Sequence, residues 1–93
     1  MFKTNQYFDG NVVSIAFDSV DGNATLGVMK AGEYEFGTTT IEIMTVISGV
    51  LLVKQPNESE WVPYAKNESF EVAKDIRFNV KCDSDVPYMC LYK

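Results

Sequence analysis

The carboxylate of Glu42 is the first candidate for chemistry in this sequence, because it opens the apolar segment EIMTVISGVLLV at residues 42–53. A carboxylate that faces a cavity can accept hydrogen bonds from two hydroxyl groups and can stabilise a developing positive charge. It could instead accept backbone N–H groups at the mouth of a strand, and the sequence leaves both roles open. Glu33 is the second candidate, although a solvated surface charge is the commoner role of such a residue.

The chain of 93 residues contains no histidine, and this absence narrows the possible chemistry. It excludes a histidine general acid, the Ser–His and Cys–His nucleophile pairs and most transition-metal sites. We therefore expect no metal cofactor. Cys82 and Cys90 flank a predicted turn, so cross-strand proximity is possible, but we expect free thiols, with Cys90 buried and inert, rather than a disulfide.

Short runs rich in Val, Ile, Phe, Tyr and Thr alternate with turn residues, which is typical of an all-β protein. Nine runs are predicted as strands: VVSIAF, ATLGVM, EYEF, EIMTVIS, VLLVKQ, WVPY, SFEV, IRFNV and YMCLY. About nine or ten such strands predict a barrel or a sandwich. Side-chain alternation places Glu42, Met44 and Val46 on one face of strand 42–48. The opposite face is also largely apolar, so we expect a second sheet or a second subunit to cover it.

The spacing of several residues resembles that of cupins, which are small double-sheet β-barrels of the jelly-roll type. Glu42 and Gly49 match the Glu-x6-Gly of the first cupin motif, although this pair alone is a common chance match. In the second motif Asn67 replaces the glycine, a mild exchange because Asn tolerates a left-handed turn, and Ala73 replaces the proline. The positions of the cupin histidines hold other residues: Phe36, Thr38 and Phe78. Cupin geometry would point Glu42 into the barrel.

Length, composition and charge predict one domain over residues 1–93. The net charge is −5 and the basic residues are scattered, so a nucleic-acid polymer is not expected as a partner. No apolar run approaches the ~18 residues that cross a bilayer, and the opening residues MFKTNQYF lack the apolar core of a signal peptide. We therefore expect a cytoplasmic protein without membrane attachment. The small size and the two-sided apolar strand predict a homodimer.

Four segments carry a closer resemblance: NQYFDG, LGVMKAGEYEF, EIMTVISGVL and YMCLY. Over residues 5–92 the chain resembles the small pyrimidine/purine nucleoside phosphorylase family, with GEY-x-F followed by MTVISG as the most specific part. The resemblance implies a cupin-like fold and a pentosyltransferase that cleaves nucleosides with phosphate to free base and pentose 1-phosphate. The implied substrates are uridine, cytidine, thymidine, adenosine, guanosine, inosine and xanthosine. Inorganic phosphate would be a co-substrate, and no cofactor is implied.

Such a reaction needs contacts to the ribose hydroxyls, stabilisation of the departing base and a phosphate cradle. Glu42 is the predicted catalytic residue, because it can hold ribose hydroxyls and favour a cationic sugar, and Glu33 is the second candidate. Broad base tolerance favours stacking on aromatic rings, since every base has a π-face. The candidate rings, each of which could instead belong to the core, are Tyr34, Phe36, Phe78, Tyr88 and Tyr92.

The phosphate cradle is the part that the sequence predicts least directly. The run Thr38-Thr39-Thr40 offers hydroxyls and consecutive backbone N–H groups that could form an anion nest, or it could be a simple connector. The single arginine, Arg77, should point out of its own barrel and could serve a partner's site. A non-catalytic cupin that binds a small sugar or nucleotide-like ligand is the alternative interpretation. The missing histidines nearly exclude a metal-dependent cupin oxygenase or isomerase.

Overall fold

Two antiparallel sheets face each other across one core. The computed structural model describes residues 1–93. Its strands are β1 (Lys3–Tyr7), β2 (Val12–Ser19), β3 (Gly22–Met29), β4 (Gly32–Gly37), β5 (Glu42–Val46), β6 (Leu51–Lys54), β7 (Val62–Tyr64), β8 (Ser69–Val72), β9 (Arg77–Cys82) and β10 (Val86–Tyr92). One sheet has the order β1-β2-β3-β10-β5-β8, and the other has the order β4-β9-β6-β7. The predicted all-β, double-sheet architecture is therefore confirmed. None of the elements is a helix that could cross a membrane.

The edge strand β1 is the one element that the sequence did not predict. Its residues, KTNQY, are polar and lack the β-branched or aromatic run that marks the other strands. It forms because the turn at Phe8, Asp9 and Gly10, all with positive φ, folds it back onto β2. The pairing runs from Lys3 opposite Ala16 to Tyr7 opposite Val12. Tertiary pairing has overridden weak local propensity here.

The turns at the two cupin-like positions have the expected backbone conformation. Gly49 has φ +80°, and Asn67, which stands where cupins carry glycine, has φ +69°. The strand predicted over residues 42–48 ends two residues early, at Val46. The chain leaves the sheet there to cross to β6, and its last backbone hydrogen bond to β10 runs from the Ile47 N–H to the Pro87 carbonyl at 2.9 Å.

The core lies between the inner faces of the two sheets, and its apolar side chains come from both. On β5, Met44 and Val46 face inward and are fully buried, as side-chain alternation predicted. The outer face of the six-stranded sheet is different. Four apolar side chains on this face are 39% to 48% exposed: Val13, Ile15, Leu26 and Val28. That outer face is only partly covered within the chain, where Phe2 borders Ile15 and Leu26.

Candidate active site

A cavity of about 140 Å³ lies between the sheets at the end where β5 begins and β10 ends. Glu42 and Tyr92 are paired across these two strands and lie at its outer end. Five of the residues predicted from the sequence line this cavity: Phe36, Glu42, Phe78, Tyr88 and Tyr92. The structure therefore brings one carboxylate, two hydroxyl-bearing rings and two apolar rings into one space.

Glu42 is the only carboxylate in the cavity lining, and its side chain has few partners. As the first residue of β5 it is held between Tyr92 of β10 and Val72 of β8. The Cys90 thiol donates a hydrogen bond to Oε1, with 3.4 Å between sulfur and oxygen. Burial raises the pKa of Glu42, and the bond from Cys90 lowers it by less. The carboxylate accepts no backbone N–H and pairs with no cation, so the structural role considered from the sequence is not what the structure shows.

The wall beside Glu42 is polar but uncharged. The hydroxyls of Thr25 and Tyr92 share a hydrogen bond of 3.1 Å. Burial raises the pKa of Tyr92, so its phenol keeps its proton. Burial also raises the pKa of the Cys90 thiol, and the nearby Glu42 charge raises it further. Cys90 therefore acts as a neutral donor. Cys82 and Cys90 are free thiols and Cys90 is buried, as the sequence predicted, and Cys82 is buried as well.

The four-stranded sheet contributes aromatic rings to the opposite wall. Phe36 of β4 and Phe78 of β9 are direct cross-strand partners, with ring centroids 5.9 Å apart. Both stand where cupins carry histidine ligands, and both line the cavity. An apolar surface thus occupies the place where imidazoles would hold a metal, and no cluster of three acidic, cysteine or histidine side chains occurs anywhere in the chain.

The other four predicted residues lie outside the cavity. Tyr34 is buried beside it, packs on Phe8 at 5.0 Å and donates its hydroxyl to the Lys30 carbonyl at 2.6 Å. Glu33 is exposed on the outer face of β4. Thr38 and Thr39 follow β4 and border a shallow outer depression that also includes Arg77.

The Thr38 side chain is already occupied within the protein. Its hydroxyl donates to the Ala73 carbonyl at 2.7 Å and accepts the Ile76 N–H at 3.2 Å. Its own N–H donates to the Ile76 carbonyl at 2.9 Å. Thr38 therefore joins the β4–β5 connection to the turn before β9. Thr39 is exposed, and its N–H makes no hydrogen bond to the backbone.

Arg77 points away from the core, as its alternation with Phe78 predicted. Its guanidinium lies 3.2 Å from Glu35 on the outer face of β4, and its side chain is 77% exposed. The outer depression that it borders meets the cavity at Gly37, which lines both.

Comparison with known proteins establishes the family of this chain. The sequence model of the pyrimidine/purine nucleoside phosphorylase family matches residues 2–92. The chain belongs to this family. A relative from Pseudomonas aeruginosa that carries the family name is 53% identical over the full length of both chains. The resemblance found in the sequence is therefore confirmed.

Two solved structures show which known folds this chain resembles. A protein of unknown function from Vibrio parahaemolyticus is 39% identical, has a TM-score of 0.95, and the match covers 100% of this chain and 99% of that one. A cupin-2 domain containing protein from Shewanella frigidimarina is 14% identical with a TM-score of 0.65, over 80% of this chain and 72% of that one. This second likeness concerns the fold alone, and it confirms the predicted cupin-like architecture.

Six cavity residues were not predicted as site residues: Tyr7, Ser14, Thr25, Gly37, Met44 and Cys90. The sequence did carry a signal for Cys90, because it alternates onto the same face as Tyr88 and Tyr92. Ser14 and Thr25 required the strand register, which sets Ser14 opposite Gly27 and Thr25 opposite Cys90. Tyr7 could not be found without the unpredicted strand β1.

Proposed function

We propose that this protein cleaves nucleosides with inorganic phosphate, releasing a free base and a pentose 1-phosphate. Family membership supports the reaction class. The observation that carries the site is the half-buried Glu42 carboxylate, which faces a cavity without a cation or a backbone donor. A buried charge without such partners is costly, and a ligand that donates hydroxyl hydrogens would offset that cost.

The proposed reaction displaces the base from the sugar. An oxygen of hydrogen phosphate bonds to C1′ while the C1′–N bond breaks and its electron pair leaves with the base. The proton of hydrogen phosphate balances the charge on the departing base, so the products are a neutral base and the sugar phosphate. Positive charge develops on the sugar as the bond breaks, and groups placed to stabilise it lower the barrier.

Glu42 is the proposed catalytic residue. Its ionised carboxylate accepts the ribose hydroxyls and stabilises the positive charge of the sugar in the transition state. Phe36 and Phe78 contact the face of the base, and such contacts tolerate both pyrimidines and purines. Glu33, Tyr34 and Thr38 lie outside the cavity, so no contact with the nucleoside is assigned to them.

The phosphate is proposed to bind at the outer depression next to Gly37. The N–H groups of Thr39 and Thr40 make no backbone hydrogen bond, and successive free N–H groups suit an anion. Arg77 borders the same depression, which adjoins the cavity at Gly37. The reaction as proposed needs no metal. Its proposed substrates are the seven nucleosides named above.

We also propose a homodimer that forms through the outer face of the six-stranded sheet. Val13 lies opposite Val28 and Ile15 opposite Leu26, which makes two neighbouring exposed apolar rows. A two-fold axis would let the same rows of a second copy cover them. Light scattering at micromolar concentration should give twice the chain mass of 10.4 kDa. A Leu26→Glu variant should shift toward the monomer, and a monomeric wild-type protein would contradict this assembly.

Base release from uridine or adenosine, measured with and without phosphate, tests the proposed function. Release that depends on phosphate, together with formation of pentose 1-phosphate, is the expected result. Release without phosphate would indicate a hydrolase instead. Binding without any release would favour the non-catalytic cupin and would overturn the proposal.

A further inference from the structure

Two hydroxyl groups at the inner end of the cavity have no partner in the protein. Ser14 of β2 and Tyr88 of β10 lie on either side of Gly27 of β3, in one row across the sheet. Their residues are 3% and 6% exposed, and neither hydroxyl makes a hydrogen bond within the chain. No fully enclosed side-chain oxygen or nitrogen lacks a partner, so both hydroxyls must reach the cavity that they line. Two accessible hydroxyls without a partner in the chain are free to bind the polar groups of a ligand that enters the cavity.

Gly27 determines where the Tyr88 hydroxyl lies. A Cβ atom at this position would stand 2.7 Å from both Cζ and the hydroxyl oxygen of Tyr88, closer than real Cβ contacts allow. The phenol ring therefore lies against the bare backbone of β3, where it forms part of the cavity wall. The backbone φ of Gly27 does not require glycine, so the close approach of Tyr88 is what requires it.

The size of the cavity decides which part of a nucleoside it can enclose. Its volume is about 140 Å³, and a cavity of roughly 150 Å³ in another protein holds one benzene ring. The enclosed volume suits the six-membered ring of a base, and the rest of a nucleoside must extend beyond it toward the outer end. Tyr88 lies four residues inward from Tyr92 along β10, which corresponds to about 13 Å. A base at the inner end would leave its sugar beside Glu42 at the outer end.

We propose that the hydroxyls of Ser14 and Tyr88 bind the polar edge of the nucleobase and accept both carbonyl-bearing and amino-bearing bases. This inference rests on the proposed function and names the base subsite of the same cavity. Inosine presents an N–H donor next to a carbonyl acceptor, whereas adenosine presents an acceptor next to an amino donor. A hydroxyl can donate or accept after a rotation, so two hydroxyls can match either pattern.

The surroundings keep both hydroxyls neutral and adaptable. Burial raises the pKa of Tyr88, so the phenol retains a proton that it can donate to a base. A carboxylate or an amide at these positions would present a fixed pattern and would favour one class of base. The pair thus offers a physical reason for broad base tolerance that aromatic stacking alone does not supply.

The test combines removal of the hydroxyl with removal of its partner on the base. Tyr88→Phe and Ser14→Ala are assayed with inosine, adenosine and purine riboside, which has only hydrogen at C6. Purine riboside lacks the C6 group but keeps N1 as an acceptor. We expect the variant that removes the partner of the C6 group to lower kcat/KM for inosine and adenosine by about two- to tenfold, the range of one neutral hydrogen bond, and to change purine riboside far less. An equal loss on all three substrates in both variants, or no loss in either variant, would overturn the assignment.

Tyr92→Phe is the matched control, because it removes a hydroxyl from the same strand beside Glu42. Its effect should be the same for all three nucleosides. Thermal melting separates binding from folding, since loss of an unpartnered hydroxyl should not lower the Tm of Tyr88→Phe. Gly27→Ala is a second test, because it drives the phenol into the cavity. Because the displaced phenol narrows the cavity, kcat/KM should fall more for inosine, which has the larger base, than for uridine. An equal effect on both would contradict the role of Gly27.

Failure of the proposed function can be distinguished from failure of this subsite. If the wild-type protein releases no base from any nucleoside, the proposed function fails. Calorimetry with free hypoxanthine and free purine then tests the subsite alone. Weaker hypoxanthine binding to Tyr88→Phe or to Ser14→Ala, with unchanged purine binding, would support the subsite, and equal changes for both ligands in both variants would overturn it.

Discussion

The carboxylate in the cavity and the carboxylates on the outer face of the four-stranded sheet have opposite surroundings. On the outer face, Glu35 pairs with Arg77 at 3.2 Å, and the Lys81 ammonium lies 4.3 Å from the Trp61 ring centroid. Charges there are compensated by neighbours and water. In the cavity, Glu42 has only a thiol donor, and its burial raises its pKa. Residues of the same type are thus surface charges in one region and a candidate for catalysis in the other, because their partners and solvation differ.

The largest expected effect that tests this comparison comes from Glu42→Gln. The change keeps the shape and removes the charge, and a lost charge-assisted hydrogen bond is worth about 1.5–3 kcal/mol. If it acts in the transition state, kcat/KM should fall roughly ten- to 150-fold. The matched variant Glu35→Gln removes one half of an exposed ion pair and should stay within about twofold of wild type. A similar fall in kcat/KM for both variants would contradict the proposed difference between the cavity and the outer face.

The stability of Glu42→Gln should change in the direction opposite to its activity. A folded-state pKa that burial raises means that this group contributes stability at low pH and loses it as the pH rises through the raised pKa. At neutral pH the ionised carboxylate therefore destabilises the fold, and the neutral glutamine should melt at an equal or higher temperature. A fall in Tm with full activity per folded molecule would make Glu42 a structural residue.

The loss of activity at low pH should report the protonation of Glu42. Because ionised Glu42 is the proposed active form, kcat/KM should decline as the pH falls through the raised pKa of Glu42. The declining limb should be absent in Glu42→Gln, whose residual activity should be flat over that range. An unchanged limb in this variant would assign the titration to another group and would remove the case for an ionised Glu42.

A smaller effect on stability should distinguish Thr38, whose hydroxyl is hydrogen-bonded within the chain, from the exposed Thr39. Thr38→Val leaves the Ala73 carbonyl and the Ile76 N–H without their partner and should cost about 1–3 kcal/mol. For a domain of this size each kcal/mol lowers the Tm by roughly 4–8 °C. Thr39→Val changes an exposed side chain and should leave the Tm within about 2–4 °C of wild type. Equal Tm values for the two variants would refute the structural role of Thr38.

Chelation should have the smallest effect. Phe36 and Phe78 present apolar rings to the cavity where cupins hold metal ligands, and the proposed reaction uses no metal. Activity should survive prolonged treatment with EDTA. Loss of turnover that Zn²⁺, Mn²⁺ or Fe²⁺ restores would contradict the metal-independent mechanism.

Side-chain alternation was enough to predict several parts of the fold and the site. The runs VVSIAF and IRFNV are strands as expected, and Phe78 faces the core while Arg77 faces solvent. Alternation in EIMTV likewise predicted that Glu42 shares the buried face of Met44 and Val46. These features are local, because the pleat of a single strand sets its period of two residues.

What the sequence by itself determined is therefore the strand content, the inward face of Glu42 and, through family resemblance, the family. The tertiary structure decided which inward residues meet. Strand β10 pairs with β3 and β5, which lie far from it in the chain, and that register sets Ser14, Gly27 and Tyr88 in one row. The tertiary structure also placed Thr38 against Ala73 and Ile76 and added Tyr7 to the cavity. Register depends on contacts between distant segments, and a shift by one residue would turn every one of these side chains to the other face.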